Sequence, residues 1–124
     1  MDDTTTVAEL LTAVAAFRDA RDWAQFHNPK DLAASIAIEA AELMELFQWK
    51  TPQQALALLR EEAGAGRLQE ELADILIYCF SLADAAKVDV SLAVHDKLEK
   101  NGAKYPVELS RGSAAKYTDP ASPG

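Results

Sequence analysis

The 124-residue sequence is poor in several residue types, and each shortage excludes a class of protein. Cys79 is the only cysteine, so an intrachain disulfide and a zinc site made of cysteines are excluded. Only 12 lysines and arginines stand against 20 aspartates and glutamates, and the net charge of −8 argues against binding to a nucleic-acid backbone. No apolar run is long enough to span a bilayer, and no signal peptide is recognisable. We therefore expect a soluble, cytoplasmic protein that binds neither membranes nor nucleic acids.

Helix-forming residues, by contrast, are abundant. Hydrophobic residues make up 49% of the chain, there are only five glycines, and alanine, leucine and glutamate are frequent. This composition predicts an all-α protein with one core over residues 1–110, and the segments given below divide it into four to five helices. Residues 111–124, which include Ser113, Pro120 and Pro123, are predicted to form an extended or disordered tail.

Capping and breaking residues predict where the helices begin and end. A threonine at positions 4–6 can cap the first helix, and Asp89 or Ser91 can cap the last. Gly64 and Gly66 are predicted to form a hinge or turn, and Gly102 is expected to close the last helix before Pro106. The predicted helical segments are approximately residues 7–22, 30–49, 53–62, 67–87 and 90–100.

The stretch from Ser35 to Trp49 carries the first chemical signal. Its hydrophobic residues recur every three or four positions, which predicts a helix with one apolar face. Glu39 and Glu42 lie one turn apart beside that face, and not on the opposite, solvated one. Because neighbouring carboxylates repel each other and are unfavourable to bury, a positive group is expected in front of them.

A second acidic pair lies on the stretch from Glu71 to Leu82. Glu71 and Asp74 repeat the one-turn spacing, Tyr78 follows one turn later, and the helix is apolar on nearly every side. Two such helices can place four carboxylates around one point, which is the oxygen cage that hard divalent cations prefer. The alternative is that these acids lie on ordinary solvated helix faces. The apolar helix also predicts an oligomer, because a chain of this length offers few helices to cover it.

The segment between the first two predicted helices is rich in rings, with Trp23, Phe26 and His27 close together. One interpretation is a pocket in which rings stack on a nucleobase and His27 supplies a hydrogen bond. The alternative is that Trp23 and Phe26 fill the core between helices. The predicted helix from Lys30 to Trp49 is about 30 Å long, so a pocket that uses both tryptophans must take one from a neighbouring subunit or fold the preceding loop back; we expect the neighbouring subunit.

Taken together, these motifs resemble the all-α nucleoside triphosphate pyrophosphohydrolases, which include the MazG-like proteins. The likeness covers about residues 7–118 and is closest to the dCTP pyrophosphatase branch. The ExxE and ExxD halves of the family motif match Glu39, Glu42, Glu71 and Asp74. The strings that carry the resemblance are WAQFHNPKDLAASIAIEAAELMELFQWK, ELADILIY and KLEKNGAKYP.

The resemblance implies a helical bundle that assembles as a dimer or a tetramer, with Mg²⁺ held by those four carboxylates. It implies cleavage of a (deoxy)nucleoside triphosphate, most closely dCTP or a modified dCTP, to the monophosphate and pyrophosphate in nucleotide-pool sanitation. One departure is Val14, which aligns with a pocket histidine of that branch and bears on base preference. The residues that the resemblance assigns to the substrate are Trp23, Ala24, Gln25, Phe26, His27, Trp49, Asp74, Tyr78, Lys97 and Asn101.

Two other functions are compatible with the sequence. The chain could be a MazG-like housekeeping hydrolase that acts on another or a damaged nucleotide. It could also be a non-catalytic helical interaction module, in which case the acids are structural and neither activity nor stability depends on a divalent metal.

Overall fold

A computed structural model describes residues 1–116 and 118 of the chain, and over these residues the only regular secondary structure is helical. This confirms the predicted all-α class. The chain divides into two compact units, residues 1–88 and 89–124. The helices of the first unit are α1 (Val7–Asp19), a short 3₁₀ helix (Ala24–Phe26), α2 (Pro29–Glu45), α3 (Pro52–Leu59) and α4 (Glu62–Ala86).

Side-chain caps fix the starts of three helices in the first unit. Thr6 caps α1 and Thr51 caps α3, each in a capping box whose reciprocal partner lies three residues later. Asn28 caps α2 by accepting from the amide of Asp31, and Pro29 occupies the first helical position. These caps place the aromatic segment between α1 and α2 and the acidic pair of α2 at defined points along the chain.

The first two helices are shorter than predicted. α1 ends at Asp19 and not at about Asp22, because Asp22 adopts a left-handed conformation with a φ of 53° and the amide of Trp23 donates to the carbonyl of Arg18 at 3.1 Å. α2 ends at Glu45 and not at Trp49. Residues 46–49 form turns, and Trp49 itself has a φ of 68°, which no α-helix accommodates.

The predicted glycine hinge is wrong, because α4 begins at Glu62 and contains both Gly64 and Gly66. Gly64 is buried where α3 meets α4. A Cβ atom added there would collide with the backbone carbonyl of Leu58 and come within 2.8 Å of its Cγ. The glycine is therefore required by close packing and not by a turn, whereas a Cβ at Gly66 would meet nothing within 4 Å.

The core of the first unit lies between α2 and α4, which make the most extensive helix–helix contact. Its buried hydrophobic residues are Leu32, Leu46 and Ala83. α4 is not covered on every side, since Leu72, Leu76 and Ile77 are each more than 40% exposed. The oligomer expected from the apolar character of this helix therefore stays a prediction.

The second unit contains α5 (Val90–Lys104) and the short α6 (Val107–Ser110). The sequence predicted α5 but not α6. Asp89 caps α5, as predicted, by accepting from the amide of Leu92. Gly102 does not close α5 but lies inside it, and the helix ends four residues later than expected, shortly before Pro106. Residues 113–116 have no regular structure, and the predicted tail positions Pro120 and Pro123 lie outside the described residues.

None of the helices in the described part of the chain combines the length and the hydropathy needed to cross a bilayer.

Candidate active site

Three carboxylates from two helices converge in the first unit. Glu39 and Glu42 lie one turn apart on α2, and Glu71 lies on α4, which packs against it. One oxygen from each of the three lies within 4.8 Å of the others. Because this spacing matches a shared ligand sphere and all donors are hard oxygens, the cluster can hold a divalent metal ion.

The acidic cluster carries an excess of negative charge, which Arg67, one turn earlier on α4, offsets in part. Burial raises the pKa of Glu39 above its ordinary value, and the carboxylate of Glu42 raises it further. Burial likewise raises the pKa of Glu71, again with a contribution from Glu42. One carboxylate oxygen of Glu39 and one of Glu71 are buried and accept no hydrogen bond from the described residues. Such oxygens are costly to leave bare and fit a bound cation.

Asp74, the fourth predicted ligand, does not belong to this group of mutually close oxygens. It stands beside them, since its charge raises the pKa of both Glu39 and Glu71. Asp74 and Glu39 also line the same cavity. The structure thus brings three predicted ligands together and leaves the fourth adjacent.

That cavity has a volume of about 250 Å³ and joins the acids to an aromatic end. The rings of Phe17 and Trp23 meet edge to face with centroids 5.8 Å apart. His27 contributes a buried Nδ1 that has no hydrogen-bond partner among the described residues. The ten lining residues are Val14, Phe17, Arg18, Trp23, His27, Glu39, Asp74, Ile77, Tyr78 and Ser81.

Four of the predicted substrate residues in this unit lie outside the cavity. Ala24, Gln25 and Phe26 form the 3₁₀ helix. The side-chain amide of Gln25 donates to the backbone carbonyl of Asp22, and Phe26 is 63% exposed. Trp49 is 92% exposed and does not contact the cavity. Trp23, His27, Asp74 and Tyr78 do line it.

In the second unit, the predicted phosphate-binding residues lie on α5, where Lys97 is exposed and Asn101 is half-buried.

Sequence reasoning missed several cavity residues, notably Phe17, Arg18 and Ser81. Arg18 donates from Nη1 to Asp84 of α4 at 2.6 Å and from Nε to the adjacent Asp19 at 2.8 Å. Its partners hold it so firmly that the pKa of Arg18 rises above its ordinary value. Helical spacing could have indicated two of the missed residues. Arg18 lies one turn after Val14, and Ser81 lies three residues after Tyr78, so each shares a helix face with a residue already assigned to the site.

Comparison with known proteins identifies relatives over most of the chain. Residues 34–119 match the model of the MazG-like family. The chain is 45% identical to bovine (Bos taurus) dCTP pyrophosphatase 1 over 92% of its own length and 68% of that protein. It is 41% identical to the human (Homo sapiens) dCTP pyrophosphatase 1 over 92% and 67% of the two lengths.

A crystal structure of a pyrophosphatase from Archaeoglobus fulgidus superposes on the chain with a TM-score of 0.75. The two sequences are 45% identical, and the match covers 80% of this chain and 91% of the archaeal one.

Proposed function

Because this chain belongs to the MazG-like family, we propose that it is a nucleoside triphosphate pyrophosphohydrolase that cleaves dCTP or a modified dCTP to the monophosphate and pyrophosphate. It is a hydrolase of phosphoric anhydrides that serves nucleotide-pool sanitation. Mg²⁺ is the proposed cofactor, and Glu39, Glu42, Glu71 and Asp74 are its proposed ligands.

The observation that supports the proposal most strongly is the bare acidic cluster at one end of a ring-lined cavity. The buried oxygens of Glu39 and Glu71 have no donor from the described residues, so a cation satisfies them where the protein does not. A divalent cation bound there would offset the charge of a triphosphate and lower the pKa of a water molecule. Trp23 and Phe17 at the aromatic end of the cavity fit a stacked base.

The reaction needs little covalent chemistry from the chain. A water oxygen forms a bond to the α-phosphorus, the bond from that phosphorus to the bridging oxygen breaks, and the electron pair leaves with pyrophosphate. Glu42 is exposed, unlike Glu39 and Glu71, and is the group we assign to orient the water and accept its proton, with its second oxygen left for the metal; Glu45, also exposed, is the alternative. The aromatic end orients the nucleoside through Trp23, His27 and Tyr78.

We further propose that the active form is a homo-oligomer, a dimer or tetramer, in which Trp49 serves the cavity of a neighbouring subunit. Trp49 is 92% exposed in its own chain, and its φ of 68° is unfavourable for a bulky residue. Lys97 and Asn101 of α5 are the proposed phosphate contacts, on the strength of the family resemblance.

The test is pyrophosphate release across the common dNTPs, NTPs and 5-methyl-dCTP, with and without Mg²⁺. We expect Mg²⁺-dependent release with dCTP or 5-methyl-dCTP as the best substrate. A preference for another nucleotide would favour a housekeeping hydrolase. No metal-dependent release from any nucleotide, together with no thermal shift on adding Mg²⁺, would favour the interaction module.

A further inference from the structure

Arg18 is the one side chain with a permanent positive charge among the ten that line the cavity. It reaches the cavity from α1, beside Phe17, and only 14% of its side chain is exposed. Since a partly buried guanidinium is unfavourable unless its donors are satisfied, its hydrogen bonds are informative.

The two acidic partners of Arg18 hold it from outside the cavity. Asp19 and Asp84 accept from Nε and Nη1, which uses two of the five N–H groups of a guanidinium. Neither acid lines the aromatic cavity; both line a neighbouring depression of about 360 Å³. The guanidinium is therefore fixed from one side and keeps N–H groups for a ligand on the other.

Arg18 enters the cavity from α1, and its anchor on α4 lies well beyond the acids. It is anchored to Asp84, which follows Asp74 by ten residues on α4. At a rise of 1.5 Å per residue, the two positions are about 15 Å apart along the helix. A nucleotide whose phosphates lie at the acidic cluster therefore directs its base towards Phe17, Trp23 and Arg18.

We propose that Arg18 is a specificity-determining residue that donates hydrogen bonds to the N3 and O2 atoms of a cytosine base. This rests on the proposed function. In uracil and thymine, N3 carries a hydrogen, so an N–H group of Arg18 would face another donor. A fixed guanidinium has no acceptor to offer that hydrogen, and it therefore selects cytosine and 5-methylcytosine over the other two pyrimidines.

A purely structural role makes a different prediction. If Arg18 only braces α1 against α4 through Asp84, its loss weakens binding of every nucleotide by the same factor. If Arg18 contacts the base, its loss removes the difference between cytosine and uracil nucleotides. The ratio of two affinities therefore separates the roles, whereas a single affinity does not.

The experiment measures binding of deoxycytidine and deoxyuridine to the full chain by calorimetry without metal. Neither nucleoside carries a phosphate that the bare carboxylates would repel, and the readout does not depend on turnover. The variants are Arg18→Met and, in case the single variant folds poorly, the paired Arg18→Met/Asp84→Leu. The paired variant removes the less exposed partner as well and leaves only the more exposed Asp19 without Arg18. The control is Arg21→Met. Arg21 lies 3.6 Å from the Phe17 ring but does not line the cavity.

We expect the unmodified protein to bind deoxycytidine at least about 10-fold more tightly than deoxyuridine, since a hydrogen bond to a charged group discriminates by that order. Both Arg18 variants should bring the ratio near one, and Arg21→Met should preserve it. A ratio that survives in folded Arg18 variants, or a ratio near one in the unmodified protein, would overturn the inference. Either result is compatible with Mg²⁺-dependent release of pyrophosphate from dCTP, which tests the proposed function separately.

Discussion

Helix α4 carries two regions in which carboxylates are partly buried, and only one of them has a cationic partner. In the first half of the helix, Glu71 stands against Glu39 and Glu42, and none of the three forms an ion pair with a described residue. Burial raises the pKa of both Glu39 and Glu71. Near its end, Asp84 is paired with Arg18 at 2.6 Å, and that hydrogen bond lowers the pKa of Asp84. The ion pair between Arg18 and Asp84 joins α1 to α4. The acidic cluster keeps an excess of negative charge, which is typical of a functional site and suits a bound metal ion.

Removing one charge from the acidic cluster should have the largest effect on function. We expect Glu42→Gln or Asp74→Asn to lower turnover of dCTP at least about 100-fold, because changes beside metal ligands alone reach that size. The fold should be unchanged or more stable, since the repulsion between the carboxylates falls.

Activity assays and thermal melts check this pair of effects. The matched control is Glu70→Gln, which removes the same charge from the residue adjacent to Glu71. Near-normal Mg²⁺-dependent turnover in either cluster variant would rule out the ligand assignment.

Trp49 tests whether the cavity is complete within one chain. We expect Trp49→Ala to raise the KM for dCTP about 5- to 150-fold, since loss of one stacked ring typically costs 1–3 kcal/mol. Binding of Mg²⁺ should stay near normal, because Trp49 is not one of the proposed metal ligands.

Mixing Trp23→Ala with Trp49→Ala chains shows whether the two rings come from different subunits. Partial recovery of activity is expected, because some mixed oligomers regain an intact site. No recovery, with subunit exchange verified by mass spectrometry, would place the cavity within one chain or assign these rings to the core.

The first turn of α4 packs closely against α3 at Gly64. Gly64→Ala should destabilise the protein by about 1–3 kcal/mol, because the methyl group meets the Leu58 carbonyl, which cannot move without the helix. Gly66→Ala is the control and should stabilise by up to about 1 kcal/mol, since alanine is the better helix former. Urea denaturation measures both, and equal effects at the two sites would contradict the packing argument.

The two regions of α4 should respond to pH in opposite directions. Because the pKa values of Glu39 and Glu71 are raised, their favourable contribution to the free energy of unfolding is complete below the ordinary pKa of 4.5 and is lost as pH rises. Asp84 has a lowered pKa, so its contribution is present above the ordinary value of 3.8 and is lost as pH falls.

Unfolding free energies between pH 3 and 7 without divalent metal provide the measurement. Relative to the unmodified protein, Glu39→Gln should gain stability as pH rises above 4.5. Asp84→Asn should be less stable than the unmodified protein at neutral pH, and this difference should disappear as pH falls below 3.8. Parallel curves for the two variants would mean that the regions do not differ in charge compensation.

The acidic half of this comparison was predictable from the sequence, and the paired half was not. Glu39, Glu42 and Glu71 were found because helical periodicity places residues three apart on one side of a helix, which requires no knowledge of tertiary structure. Arg18 and Asp84 are 66 residues apart, and no local pattern joins them.

Gly64 was misread for the same reason. A glycine indicates a turn by propensity alone, and only the closeness of Leu58 shows that it serves packing inside a helix. The left-handed backbone at Trp49 excludes the predicted helix through that residue, and it is an unusual conformation for a large aromatic residue that the sequence does not indicate.

The most direct test of the central claim is calorimetric titration of the metal-free protein with Mg²⁺ near neutral pH. The account predicts binding of Mg²⁺ at this cluster, because the buried oxygens of Glu39 and Glu71 have no donor among the described residues and a cation satisfies them. Glu71→Gln should abolish this binding, and Glu70→Gln should preserve it. Absence of binding in the unmodified protein, or unchanged binding in Glu71→Gln, would contradict the claim that this cluster is a metal site.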